Sequence, residues 1–263
     1  MRYLYGPVAS WRLGRSLGVD ILSTAEKTCS FECVYCQLGR TVTKTTDRRV
    51  FVPTDAIERE LQALAPVIEE TADVITFAGM GEPTLGANLG EVVDAIRRHT
   101  RKPIAILTNA ALMTDKTVRE ELKKLDVVIA KLDAPDQAMF EAVNRPVSAE
   151  IKLDEIIAGL KEFRREYRGR LCLQLMFVVA NRASGAELAR SAAELQPDEV
   201  QLNTPLRRPC GVKPLPGEEM KQIEKQFEQL KPEIEVISVY ERMKLDVWAI
   251  DKGAVIRRRG AGD

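Results

Sequence analysis

Three cysteines crowd into the run Cys29-Ser30-Phe31-Glu32-Cys33-Val34-Tyr35-Cys36, a C-x3-C-x2-C spacing. Cysteines this close in sequence make a poor disulfide framework and a good metal loop. Iron–sulfur cubanes are normally held by four thiolates, so a three-cysteine loop leaves one iron open to bind something else. An open coordination position marks a reactive site. Two other readings stay open on the residues alone. One is a zinc knuckle completed by Cys172 or Cys210, which would make the chain a structural or interaction protein; the other is three unrelated buried thiols. The chain has one histidine, His99, so zinc sites built on His ligands and triads needing a His base lack material. His99 lies beside Arg97, Arg98, Arg101 and Lys102 at an expected helix C-terminus, where cations complement the helix dipole, and reads as structural.

The elements that must position the loop are legible as an alternation. Apolar runs at Gly18 to Leu22, Asp73 to Phe77, Ile104 to Leu107, Val127 to Lys131, Leu171 to Val179 and Glu199 to Leu202 read as six buried strands. Helical periodicity fills Asp55 to Glu69, Asn88 to Thr100, Asp115 to Leu125, Leu153 to Tyr167, Ala186 to Leu195 and Glu218 to Leu230. Thr54, Thr114 and Ser184 stand where helix starts are expected. Strands alternating with helices imply a parallel sheet, either doubly wound or an incomplete barrel. Runs at Ile234 to Tyr240 and Val247 to Val255 are placed to extend or cap that sheet.

The cysteine loop follows the first strand, and polar residues end the others: Gly79, Gly81 and Glu82 after the second, Thr108 and Asn109 after the third, Lys131 and Asp133 after the fourth, Asn181 after the fifth, Asn203 and Arg207 after the sixth. Such residues converge above a barrel mouth, although each also suits a cap or loop. Gln174 and Gln201 interrupt apolar strands and need buried partners. Cys210 sits just beyond the sixth strand on the same side, either as a reactive thiol or as a small buried residue; Cys172, at a strand start, reads as core.

The 263 residues are 45% hydrophobic, enough for a substantial core, and 39 basic residues balance 39 acidic ones. No global field then draws the molecule onto a polyanion or membrane. Arg40, Lys44, Arg48 and Arg49 could hold phosphates locally, or form a loop balanced by acids. No signal-like apolar run opens the chain, and the longest apolar stretch, Leu171 to Ala180, is too short to span a bilayer. A cytoplasmic protein without membrane contact is expected.

The cysteine spacing, with aromatic Tyr35 before the last Cys, resembles the signature of the radical S-adenosylmethionine superfamily. That resemblance implies an incomplete (β/α)6 TIM-like barrel in one domain spanning 1–263, with a core of about 17–230 and a short C-terminal extension of about 231–263. It implies a [4Fe–4S] cluster on Cys29, Cys33 and Cys36 and S-adenosylmethionine chelated to the open iron. The reduced cluster would cleave the cofactor to methionine and a 5′-deoxyadenosyl radical. Phe77-Ala78-Gly79-Met80-Gly81-Glu82-Pro83 is similar to the family's Gly-Gly-Glu segment for the cofactor's amino group, with Met80 between the glycines. Tyr35, Gly79, Gly81, Glu82, Thr108, Asn109 and Asn181 are thus expected at the cofactor. Lys131, Asp133 and Cys210 are expected in catalysis, and Asn203 and Arg207 at the substrate. A low-potential electron donor of flavodoxin or ferredoxin type follows as a partner.

Gly6-Pro7-Val8 through Asp20, Cys36-Gln37-Leu38-Gly39, Gly81 to Leu85, Leu132-Asp133-Ala134 and Asn144-Arg145-Pro146 resemble the branch that includes wyosine-base synthases of transfer RNA. The likeness implies an RNA base or related heterocycle as substrate, with a peptide or protein side chain as the alternative. The synthases' second cluster uses cysteines upstream of the radical motif, and this sequence has none before Cys29. Trp11 and Ala9 also replace the Arg and Pro of the branch.

Overall fold

The protein is described by a computed structural model covering residues 1–207, 211–230, 234–241 and 247–259. Cys210 lies outside the described residues.

The chain opens with β1 (Leu4–Ser10), β2 (Gly14–Val19), the short pair β3 (Thr28–Cys29) and β4 (Thr43–Lys44), then α1 (Thr54–Thr71), β5 (Val74–Phe77) and α2 (Leu89–His99). It continues through β6 (Ile104–Thr108), α3 (Lys116–Leu122), β7 (Val127–Lys131), α4 (Gln137–Val143), α5 (Leu153–Glu166), β8 (Arg170–Met176) and α6 (Gly185–Leu195). β9 (Glu199–Asn203), α7 (Gly217–Phe227), β10 (Glu235–Ser238) and α8 (Lys252–Arg259) complete it. One sheet runs β1-β2-β5-β6-β7-β8-β9-β10, parallel throughout except for antiparallel β1. Its two outer strands do not pair, so the curled sheet is an incomplete barrel, as expected.

The strands are Val-, Ile- and Leu-rich because a parallel sheet is covered on both faces. Their outward residues, among them Leu17, Ile75, Phe77, Ile106, Val128, Leu173 and Val200, form one apolar cluster with the helix faces of Ile57, Leu61, Leu160, Phe163 and Leu188. Each fully buried side chain there contributes about 1.5–3 kcal/mol relative to exposure.

Several boundaries differ from expectation for local reasons. The first parallel strand is Gly14–Val19 rather than Gly18 to Leu22. Asp20 donates its N–H to the Tyr3 carbonyl and the chain leaves the ladder, so buried Ile21 and Leu22 serve packing instead. The glycine-rich opening forms the edge strand β1, which no alternation announced. Asp115, not Thr114, caps α3 by accepting the Thr117 N–H at 2.7 Å. The run at 234–240 does extend the sheet, as β10 parallel to β9. The segment at 247–255 leads into α8, which packs Ala254 and Val255 on Tyr5 of β1. No helix among the described residues is long and apolar enough to cross a membrane.

Candidate active site at the strand ends

The cysteine loop lies above the C-terminal ends of the strands because two segments bind its backbone. On one side Thr28 donates its N–H to the Met80 carbonyl at 3.0 Å and accepts from the Glu82 N–H at 3.2 Å. This close pairing is possible because residue 81 is glycine: φ there is +149°, and a Cβ would fall on the Thr28 carbonyl oxygen. On the other side the Asn144-Arg145-Pro146 segment after α4 takes the loop. Glu32 N–H donates to the Asn144 and Arg145 carbonyls at 3.1 and 3.0 Å, Val34 N–H to the Val143 carbonyl at 3.0 Å, and Val147 N–H to the Ser30 carbonyl at 3.0 Å.

Two thiols meet amide donors. Cys29 Sγ lies 3.6 Å from Asn109 Nδ2 and 3.5 Å from the Phe31 N–H, and Cys33 Sγ lies 3.7 Å from Asn144 Nδ2. Burial pushes the Cys29 thiol up to about 12 and the Cys33 thiol up to about 11, with Glu82 and Asp133 adding to it. The free thiols therefore keep their protons at neutral pH, and a cationic centre must displace them to bind. Amide donors around sulfur suit cluster-bound thiolates, which such hydrogen bonds tune. Among the described residues no three His, Cys, Asp or Glu gather closely enough for a single ion. Cys172 is buried low on β8 beside Glu199, at the far end of the strand from the loop. It is core, as expected, and does not complete a zinc knuckle. The three loop cysteines thus fit a cubane better than one ion.

The remaining expected site residues are present at the strand ends, but most already hold one another. Glu82 is buried and accepts from Thr84 N–H (3.1 Å), the Thr84 and Thr108 hydroxyls (2.7 Å each) and Asn109 N–H (2.7 Å). Burial still raises its carboxyl above the ordinary range. Asn109 also donates to Ser30 Oγ at 2.8 Å. Glu82, Thr108 and Asn109 therefore lock the β5 and β6 ends to the cysteine loop. Asn181 is wholly buried: its side chain accepts from Val178 N–H and donates to the Asp133 and Met176 carbonyls. Its amide ties the β7 and β8 ends together.

Asp133 is a hub rather than a free carboxylate. It accepts from the Tyr35 hydroxyl, from Asn144 Nδ2 at 2.7 Å and from Met176 N–H at 2.7 Å. Lys131 Nζ lies 3.4 Å from Asp133 Oδ1, 3.4 Å from Gln174 Oε1 and 4.8 Å from the Tyr35 ring centroid. This places an ammonium at the mouth of the inner face. Asn203 accepts from Thr204 N–H, and Arg207 donates to Gln37 Oε1 at 3.4 Å, directly after the last loop cysteine.

The basic group after the loop is balanced: Glu32 pairs with Lys44 at 2.5 Å and Arg40 at 3.8 Å, Arg48 pairs with Glu121, and Arg49 stacks on Phe51. It presents no open phosphate stripe. His99 meets Glu58 at 3.1 Å, in keeping with a structural role.

Sequence reasoning missed Asp20. Its Oδ1 accepts from the Ser23 and Met80 N–H groups, and a Cβ at Gly79 would meet its carboxylate. Its Oδ2 accepts from Arg258 Nε of α8 at 2.7 Å, an ion pair almost fully buried. An acidic residue ending a buried strand was the available signal; its partner is 238 residues away.

An open half-barrel with a three-cysteine loop over its strand ends defines a class of cluster-dependent enzymes that work at a barrel mouth. The chain belongs to the Radical SAM superfamily, whose family profile matches residues 27–182. It is accordingly an S-adenosylmethionine-dependent enzyme with a [4Fe–4S] cluster. Among relatives, the UPF0026 protein of Synechocystis is 44% identical over 207 residues, covering 78% of this chain and 76% of the relative. Among solved structures, TYW1 with a bound lysine–pyruvate adduct aligns with TM-score 0.59 and 13% identity, over 82% of this chain and 73% of that one. Streptococcus suis SuiB bound to S-adenosylmethionine aligns with TM-score 0.62 and 17% identity, over 81% of this chain and about half (48%) of that one. At these identities both structures speak to the fold.

Proposed function

We propose that Cys29, Cys33 and Cys36 hold the cluster, that S-adenosylmethionine sits between the loop and the Gly79–Glu82 turn, and that the substrate lies in the half-barrel below. When bound, cluster and cofactor supply a 5′-deoxyadenosyl radical for abstracting a substrate hydrogen. The chain's own residues orient and shelter that event. Glu82, Thr108 and Asn109 fix the loop's height, Asp133 fixes Tyr35, and Lys131 offers the substrate an amine at the mouth.

The substrate we favour is an RNA base or related heterocycle. The observation that carries this reading is Lys131, a largely shielded ammonium at the mouth of a fold shared with TYW1, whose structure holds a lysine–pyruvate adduct. The second reading, modification of a peptide, rests on the same fold shared with SuiB, which has been seen with its precursor peptide. A flavodoxin- or ferredoxin-type protein would deliver the electron. The whole chain, 1–263, would work as one domain, with α8 closing its β1 edge.

The test measures 5′-deoxyadenosine from reconstituted enzyme and dithionite with transfer RNA lacking the modification, or with peptides. Stimulation by RNA supports the first reading; stimulation by peptide alone replaces it with the second.

A further inference from the structure

A cluster-bound thiolate carries charge, so the donors around it help decide how readily the cluster accepts an electron. At Cys33 that donor is the side chain of Asn144, the residue that caps the C-terminus of α4. Asn144 is 2% exposed and holds the cysteine loop twice. Its carbonyl accepts the Glu32 N–H at 3.1 Å, and its Nδ2 lies 3.7 Å from Cys33 Sγ. Its own N–H donates to the Phe140 carbonyl at 2.8 Å, so the helix end fixes where the amide stands.

Which end of the amide faces the sulfur is set by Asp133, whose carboxylate can only accept. Its Oδ1 takes the Met176 N–H at 2.7 Å, with Lys131 Nζ at 3.4 Å, and this turns Oδ2 towards Asn144. Oδ2 accepts from Asn144 Nδ2 at 2.7 Å and from the Tyr35 hydroxyl. A flipped amide would set its oxygen against that carboxylate, so the NH2 end is held on this side. One of its two hydrogens goes to Asp133. The other has two acceptors, Tyr35 Oη at 3.2 Å and Cys33 Sγ at 3.7 Å. A hydrogen bond to an ionised acceptor is about twice as strong as one to a neutral acceptor, so a cluster-bound Cys33 thiolate draws the shared hydrogen from the phenol oxygen. Asn144 Oδ1, meanwhile, is buried without a partner. A purely structural amide has no reason to carry that cost.

We propose that Asn144 is a positioning residue for the cluster's redox chemistry: its amide donates to the cluster-bound Cys33 thiolate and raises the reduction potential, and Asp133 acts through it by fixing which end of the amide faces the sulfur. A donor at the thiolate favours the reduced cluster, the more electron-rich form, over the oxidised one. This role rests on the reading that Cys29, Cys33 and Cys36 hold the cluster, and it gives Asp133 a task that needs no contact with the substrate.

The test is a potentiometric titration of the reconstituted protein without S-adenosylmethionine, followed by electron paramagnetic resonance of the reduced cluster. Asn144→Leu keeps the shape of the side chain and removes the donor. Its midpoint should fall by about 59 mV, tenfold in a one-electron equilibrium. In an Asp133→Ala background, where nothing holds the amide, the same substitution should give a much smaller shift; the double-mutant cycle cancels the change in charge at residue 133. If Asn144→Leu takes up no iron, Asn144→Ala makes the same measurement. A purely structural role would lower iron content or thermal stability and leave the midpoint of the loaded protein where it was, so equal midpoints in wild type and a loaded variant would overturn the proposal. An undiminished shift in the Asp133→Ala background would remove Asp133 from it. Failure of the wild type to take up a four-iron cluster would instead overturn the cluster reading, and this role with it.

Discussion

Gly81 ties two tasks to one backbone position. Its φ of +149° and the absent Cβ let the Gly79–Glu82 turn lie directly against Thr28, the residue before the first loop cysteine. Gly81→Val should destabilise the protein by about 1–3 kcal/mol from backbone strain alone. It should also lower iron content after reconstitution, because Thr28 and Cys29 must move. Chemical denaturation and iron analysis check both; an unchanged iron content with lost S-adenosylmethionine binding would confine Gly81 to the cofactor. Glu82 allows a pH test. Its native pKa is raised by burial above the unfolded 4.5, so its protonated form favours folding and wild-type stability falls as pH climbs from 4.5 through the native pKa. Glu82→Gln cannot titrate, so its stability relative to wild type should rise across that window, above a constant cost for a mismatched amide. Parallel lines of stability against pH would contradict the burial argument. The cysteine spacing was legible as chemistry, since ligand identity and separation are local. The roles of Asp133 and Asn181 were not, because their partners Tyr35, Asn144 and Met176 lie on other elements.

α8 shows what a helix contributes from outside the barrel. It is anchored to the opening of the chain by the Met1 ammonium on Asp251 at 2.6 Å, by Ile250 N–H on the Gly6 carbonyl at 2.8 Å and by Arg258 stacked on Tyr5 at 5.1 Å. Arg258 then neutralises Asp20, which holds the Met80 N–H. Removing one partner of a buried pair leaves an uncompensated charge and costs about 3–5 kcal/mol. Arg258→Ala should lose about that much stability and weaken S-adenosylmethionine binding while the cysteine loop still takes up iron; Arg258→Lys should restore part of both. Equal affinity in wild type and a folded Arg258→Ala would show that α8 only covers the edge. The sequence placed a capping segment at 247–255, but nothing in it marked Arg258, just beyond, as a buried ion-pair partner. Surface composition conceals a single buried charge. β1 was hidden for a related reason: an edge strand of Leu4-Tyr5-Gly6-Pro7 has no regular alternation, and only its partner β2 defines it.

At the scale of the molecule, alternating strands and helices announced a parallel sheet, and the resemblance carried by the cysteine loop turned it into an open barrel. What stayed out of reach was the polarity of the interior. Gln174 and Gln201 were visible as anomalies, whereas Glu199 joins them on the same face only through the β8–β9 register. The molecule is arranged with its cysteine loop above the strand ends and a wall of buried polar side chains, Gln174, Glu199, Gln201 and Asn203, on the inner face below. The proposed function requires a radical made above and a substrate held below. The measurement that tests this most directly is anaerobic reconstitution with iron and sulfide, then dithionite and S-adenosylmethionine, with 5′-deoxyadenosine followed by mass spectrometry in wild type and in the combined Cys29→Ala, Cys33→Ala, Cys36→Ala variant. The account expects the product from wild type and none from the variant. Full cleavage activity in the variant, or none in a wild type carrying an intact four-iron cluster and its substrate, would contradict it.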